Sequence, residues 1–256
     1  MHGLTATRRY VVMGSQLLQR SGLRVVAYDA RGHGSSAPAA DPRAYGYELL
    51  ASDLRAVLDG LGLERAVLAG ASMGAHTALR FALEHPARVR ALCLITPAFD
   101  PAAVTGPGTF AAWDALARGL RTGGVEGFVR AYALDAVPAA WRDTVEKVLR
   151  QRLAAHEHPE AVADALEVVP RSRPFAAMDE LAGIAAPTVI VASRDEADPG
   201  HPLALGERYA RAIPGARLVV EEEGSPLAWR GGALSRVILE LARGAGEGSE
   251  VPPSHT

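Results

Sequence analysis

Cysteine is nearly absent from this chain. Its one copy, Cys93, lies inside the apolar run ALCLI at residues 91–95, where a thiol behaves as a small core hydrophobe. One thiol excludes an internal disulfide framework and any cysteine-rich metal site. Lysine is as scarce, found only at Lys147, while arginine and alanine are abundant. That skew reads as a bias of the source genome rather than a functional choice. An excess of one charge is missing too: 27 basic and 29 acidic residues leave a formal net charge of -2. The two signs are mixed along the chain, so there is no electrostatic footprint for nucleic acid or an anionic membrane. No apolar run approaches the ~18 residues needed to span a bilayer, and no charged-then-apolar leader precedes the first expected strand. These absences set the expectation of a cytoplasmic protein with a small-molecule partner, no metal and no cofactor.

What is present is enough for a large core. The 256 residues, 48% of them hydrophobic, suit one α/β domain with an insertion and argue against two independent domains. The chain is organised around LAGASMGAHTALRFA, residues 68–82. An apolar run at 65–69 reads as a strand covered on both faces, and Ala75, Ala78, Leu79 and Ala82 recur at helical spacing. Ser72 therefore falls on a sharp strand-to-helix turn, flanked by Gly70 and Gly74 in the pattern G-x-S-x-G. The glycines let backbone pass close to a serine held in a strained conformation, which presents its hydroxyl above the sheet. The helix that starts near Met73 adds free N–H groups and a positive dipole end where an oxyanion would form.

Around this turn the chain alternates strands and helices. Residues 7–20 are expected as a helix, with Tyr10, Val11, Leu17 and Leu18 on its apolar side, and residues 24–28 (RVVAY) as a strand running into the polar loop DARGHGSS. A helix at 47–61 stops at Gly62, a strand follows at 91–96, and strands at 188–193 and 217–221 flank a helix at 203–213. Repeated strand–helix alternation predicts a doubly wound, mostly parallel sheet. The rhythm breaks from 99 to 186, where only helical patterns occur, carrying Trp113 and Trp141. That stretch is expected to be a helical lid over the sheet's C-terminal edge, with core at 1–98 and 187–243 and a disordered Gly/Glu/Ser/Pro tail at 244–256. The final helix is expected at 233–243.

In order and spacing, HGLTA at the start, DARGHGSS, GASMGA, HPARV and VASRDEADPGHP resemble the α/β-hydrolase fold family, over most of the chain outside the helical insertion. The resemblance implies Ser72 as nucleophile and the N–H groups of Leu4 and Met73 as an oxyanion hole. It implies pocket positions at His2, Gly3 and His33, joined on the lid side by Trp113 and Trp141, with Phe110 expected beside them. It also puts the catalytic acid in the loop SRDEADPGHP, where Asp198, heading D-P-G-H-P, is preferred to Asp195. The chain departs from the family pattern at two places. The strands that precede the His-Gly loop in the family are not in the sequence, which gives the expectation of a longer gene product. The Gly-His after the last strand is replaced by Gly224-Ser225. His76, four residues beyond Ser72, is expected to point along its helix, and His33 to brace its loop. His201, three residues past Asp198, is left as a weak candidate base. The expectation is an esterase-type serine hydrolase of low activity acting on a small, partly apolar substrate, with a catalytically impaired small-molecule binding protein as the alternative.

Overall fold

A computed structural model of the chain describes residues 1–103, 106, 108–194, 200–222 and 230–247. Among the described residues four strands, β1 (Ala66–Ala71), β2 (Val89–Ile95), β3 (Thr188–Ala192) and β4 (Arg217–Val220), form one sheet in the order β1-β2-β3-β4, with every adjacent pair parallel. β3 is buried throughout and β2 at all but one position, which is why both read as nearly continuous apolar runs.

The two-residue strand period sorts these runs onto opposite faces. Leu68, Leu92, Leu94 and Ile190 meet α2 (Tyr47–Gly60), α3 (Met73–Glu84) and α7 (Leu203–Ala212) through Leu54, Leu79 and Tyr209. Ala91, Cys93, Ile95, Val189 and Val191 face α1 (Leu17–Arg20) and α8 (Gly231–Glu247) through Leu18, Leu234 and Ile238. α3 and α7, the helices that directly precede β2 and β4, share one face because the strands are laid down in one direction. Burial on β2 pushes the Cys93 thiol up to about 12, in keeping with its reading as a core residue.

Three longer helices lie between β2 and β3: α4 (Ala111–Ala131), α5 (Arg142–Leu153) and α6 (Pro159–Val168). They have an apolar core of their own, built from Leu116, Leu120, Phe128, Leu149, Val162 and Leu166. α4 breaks at Gly124, where φ is 56°, so its two halves fold back on each other.

Three expectations from sequence need correction. Residues 24–28 join no strand; Val26 is 41% exposed, and the edge of β1 is taken by Met1. Its amino group donates to the Ala69 carbonyl at 2.7 Å, and its carbonyl accepts from Ala71 N–H at 3.1 Å. β-branched residues favour a strand only where a ladder partner is present. The expected helix at 7–20 is a 3₁₀ turn at Arg8–Tyr10, a left-handed break at Met13 and Gly14, and the single turn of α1. The final helix runs four residues past 243, to Glu247; the rest of the expected tail lies outside the described residues. Among the described residues no helix is long and apolar enough to cross a membrane, and no cluster of metal-ligating side chains occurs.

Candidate active site

β1 ends one residue before Ser72, and α3 begins one residue after it. Ser72 sits at φ 48°, ψ -110°, a conformation that L-residues adopt only when their surroundings hold them there. Two close approaches explain the flanking glycines. A Cβ on Gly70 would collide with the Gly74 carbonyl, and one on Gly74 would lie 2.6 Å from the Met1 carbonyl oxygen. The Ser72 N–H donates to Ile95 O at 2.9 Å, anchoring the turn to the end of β2. Gly3 packs against it from the other side, where a Cβ would come 3.6 Å from Ser72 Cβ.

His201 arrives from the loop before α7 and places Nε2 2.9 Å from Ser72 Oγ. His201, the weak candidate base of the sequence, is thus brought within hydrogen-bond reach of Ser72. The imidazole comes from the loop after β3 instead of the loop after β4. In the tautomer that carries its proton on Nδ1, Nε2 accepts the Ser72 hydroxyl proton. Asp195 and Asp198, the two candidate acids, lie outside the described residues. Glu221, buried at the end of β4, accepts from Ser193 Oγ at 3.0 Å and from Arg194 N–H at 2.6 Å, just after β3. In the sequence Glu221 is the first of three consecutive glutamates, and nothing local distinguishes it.

Ser72 and His201 open onto a cavity of about 630 Å³ lined also by Gly3, Leu4, Met73, Trp113 and Arg152. α4 supplies Trp113, Leu116 and Phe128 to its walls. Two aromatics expected there are elsewhere. Trp141 packs with the core shared by α4, α5 and α6, and Phe110 lies under the Arg171 guanidinium, 4.6 Å from its ring centroid. One turn of sequence pattern does not say which side of a helix meets the cavity and which meets its neighbours.

His2 and His33 do not line the cavity either; they brace the loops that do. His2 Nδ1 donates to Gly3 O at 2.9 Å, and its Nε2 accepts from Ala30 N–H at 2.9 Å. His33 contacts Arg31 O at 2.9 Å and Leu4 O at 2.5 Å, which ties the peptide between Leu4 and Thr5 to the loop that carries His33. His156 packs on His33 with ring centroids 5.5 Å apart, accepts from Gly34 N–H at 2.8 Å and donates to Thr5 O at 3.2 Å. The first-loop residues Gly3 to Thr5 are thus held by imidazoles from three segments.

His76 lines the cavity, but its Nε2 is occupied by the N–H groups of Ala98 and Phe99 at 3.0 and 3.1 Å. It is therefore no base for Ser72. Burial drives its pKa down to about 3. Its Nδ1 meets the Tyr47 hydroxyl at 3.0 Å. Tyr47, expected only as an apolar position of its helix, also lines the cavity.

Comparison with known proteins shows the family. Residues 1–150 match the family model described as the alpha/beta hydrolase fold. The chain is 33% identical over 210 residues to 2-hydroxy-6-oxononadienedioate/2-hydroxy-6-oxononatrienedioate hydrolase 2 of Pseudomonas putida, covering 79% of this chain and 70% of that one. A protein of Variovorax paradoxus assigned as a carbamate hydrolase, RutD, is 32% identical over 181 residues, 70% of this chain and 66% of its own length. Among solved structures, a thermophilic esterase from Thermogutta terrifontis superimposes with a TM-score of 0.76 at 25% identity, over 95% of this chain and 88% of that one.

Proposed function

The chain belongs to the α/β hydrolase fold family, and from that premise we propose that it is a serine hydrolase directed at an ester or related carbonyl of a small, partly apolar substrate. The contact of His201 Nε2 with Ser72 Oγ carries this reading. A free serine hydroxyl is a poor nucleophile near pH 7, and a base within hydrogen-bond reach removes its proton as the bond to carbon forms. As Oγ attacks the carbonyl carbon, its proton passes to His201 Nε2 and negative charge gathers on the carbonyl oxygen. The N–H groups of Met73, at the start of α3, and of Leu4, whose peptide is held by His2 through Gly3 O, are the proposed donors to that oxygen. Collapse of the adduct expels the leaving group, which takes the proton from His201. Water, deprotonated by the same imidazole, then attacks the acyl carbon; the acyl–Oγ bond breaks, and His201 returns the proton to Oγ as the acid leaves. Asp198, with Asp195 as the alternative, is proposed to orient His201 from the loop between β3 and α7.

The substrate side follows from the cavity. Its walls are mostly aliphatic and aromatic, which suits a compound with apolar character and few polar groups. A cytoplasmic setting rests on composition alone. The test is covalent labelling by a fluorophosphonate probe, paired with turnover of short aryl esters. Labelling should vanish in Ser72→Ala, and turnover should fall ~100-fold or more in His201→Ala, as expected for a lost general base. A folded, unmodified protein that resists the probe would sink the proposal, as would labelling that survives Ser72→Ala.

A further inference from the structure

Proton accounting at the buried Tyr47–His76 pair reaches beyond the chemistry at Ser72. Two backbone N–H groups, from Ala98 and Phe99, point at His76 Nε2. That nitrogen must therefore offer a lone pair, because a proton on it would face two other donors. A neutral imidazole has one N–H, so the proton resides on Nδ1. Nδ1 is 3.0 Å from Tyr47 Oη, and the bond runs from His76 to the tyrosine oxygen. The Tyr47 hydroxyl proton cannot occupy the same line and must turn away from His76.

Among the described residues, no acceptor for that proton lies within hydrogen-bond distance of Tyr47 Oη, although Tyr47 is only 4% exposed. A buried hydroxyl donor left unsatisfied costs about 1–3 kcal/mol. The ring is packed among Leu50, Met73, Ala165 and Val169 and stands edge-on to His76 at 86° with centroids 5.6 Å apart. Both Tyr47 and His76 line the cavity that holds Ser72 and His201.

We propose that Tyr47 Oη is a fixed hydrogen-bond donor in the substrate cavity, and that it selects substrates carrying a second oxygen acceptor, such as an oxo or carboxylate oxygen, besides the scissile carbonyl. The proposal deepens the hydrolase reading of this site and rests on it for the word substrate. His76 acts as a positioning residue: by capping Ala98 and Phe99 it locks its own tautomer, and with it the direction of the Tyr47 O–H. A hydrocarbon chain in the same place would leave the hydroxyl unpaired, so the site discriminates against it.

The experiment compares aryl pentanoate with its 3-oxo and 4-oxo analogues, which differ only by a carbonyl. At least one oxo ester should have a kcat/KM ~10-fold above the parent, about what one well-made neutral hydrogen bond supplies. Tyr47→Phe should erase that preference, read as the ratio of oxo-ester to pentanoate kcat/KM within the variant itself. A preference that survives Tyr47→Phe, or equal losses on all three esters, overturns the proposal. Two further measurements do not depend on turnover. In 15N-histidine spectra of the unmodified protein, His76 should show a protonated Nδ1 and a bare Nε2; the reverse pattern refutes the argument. In the Ser72→Ala protein, the methyl oxo esters should bind tighter than methyl pentanoate, and adding Tyr47→Phe should abolish the difference. If the serine probe fails but this binding difference appears, the hydrolase reading falls and the donor site stands.

Discussion

At the scale of single residues, what decides this site is where each hydrogen bond goes. Glu221 is instructive because its Oε1 accepts from both Ser193 Oγ and Arg194 N–H, at the mouth of the segment that leads to His201. Removing this buried acceptor takes away two hydrogen bonds that tie the start of that segment to the end of β4. Glu221→Ala should therefore lower kcat for ester hydrolysis by ~10-fold or more through a displaced His201, with a smaller change in KM. Glu221→Gln keeps an oxygen at the same place and should recover most of the loss. Equal impairment by the two variants, or none by either, would show that this carboxylate has no bearing on the loop. The role is not legible in the sequence: Glu221 opens a run of three chemically identical glutamates, and its inward placement comes from its position at the end of β4.

At the scale of elements, the sheet was legible where burial alone dictates structure and obscure where a partner does. β2 and β3 announce themselves as apolar runs because both faces are covered. RVVAY at 24–28 has the same composition and forms no strand, since β propensity cannot supply a neighbour. Ser72 was readable because the G-x-S-x-G turn is local. His201 was undervalued because its 2.9 Å contact spans 129 residues of sequence. The hairpin within α4 shows a further limit. A Cβ on Gly127 would strike the Gly119 carbonyl, and one on Gly119 would lie 2.5 Å from Gly127 O, so the two halves cross backbone to backbone. Gly127→Ala should force them apart and destabilise the protein by about 1–3 kcal/mol, seen as a lower Tm. It should also perturb ester turnover, since Trp113 and Phe128 project from these halves into the cavity. Gly244→Ala in α8 is the contrast. Nothing lies within 4 Å of its would-be Cβ, so the gain in helix propensity, up to ~1 kcal/mol, should raise Tm. A Gly127→Ala protein as stable as the parent would mean that the crossing is looser than the backbone distances require.

At the scale of the whole molecule, buried imidazoles tie the loops around the site to the pH of the solution. His2, His76 and His156 each use one ring nitrogen to accept a backbone N–H, from Ala30, from Ala98 and Phe99, and from Gly34 respectively. An imidazolium has no such lone pair, so each must be neutral in the folded state. Burial acts in the same direction: it pushes the His76 pKa to about 3, His156 to about 4, and His2 well below the ordinary 6.5. The unfolded chain binds a proton at each of these positions as pH drops through ~6.5, while the folded chain refuses it until far lower. These groups therefore contribute stability that is fully present above pH ~6.5 and is lost as pH falls toward about 4. Each histidine kept neutral adds a slope of about 1.4 kcal/mol per pH unit inside that window. Chemical denaturation between pH 7.5 and 4.5 should show stability falling steeply below ~6.5, with a larger decline than carboxylate titration alone produces over the same range. Replacing His156 by Gln, whose side-chain oxygen can still accept from Gly34 N–H, should flatten the slope by about one proton's share at some cost in stability at pH 7.5. A slope unchanged by His156→Gln would show that this imidazole already titrates in the folded protein, and that the first loop is held by something other than its neutral form.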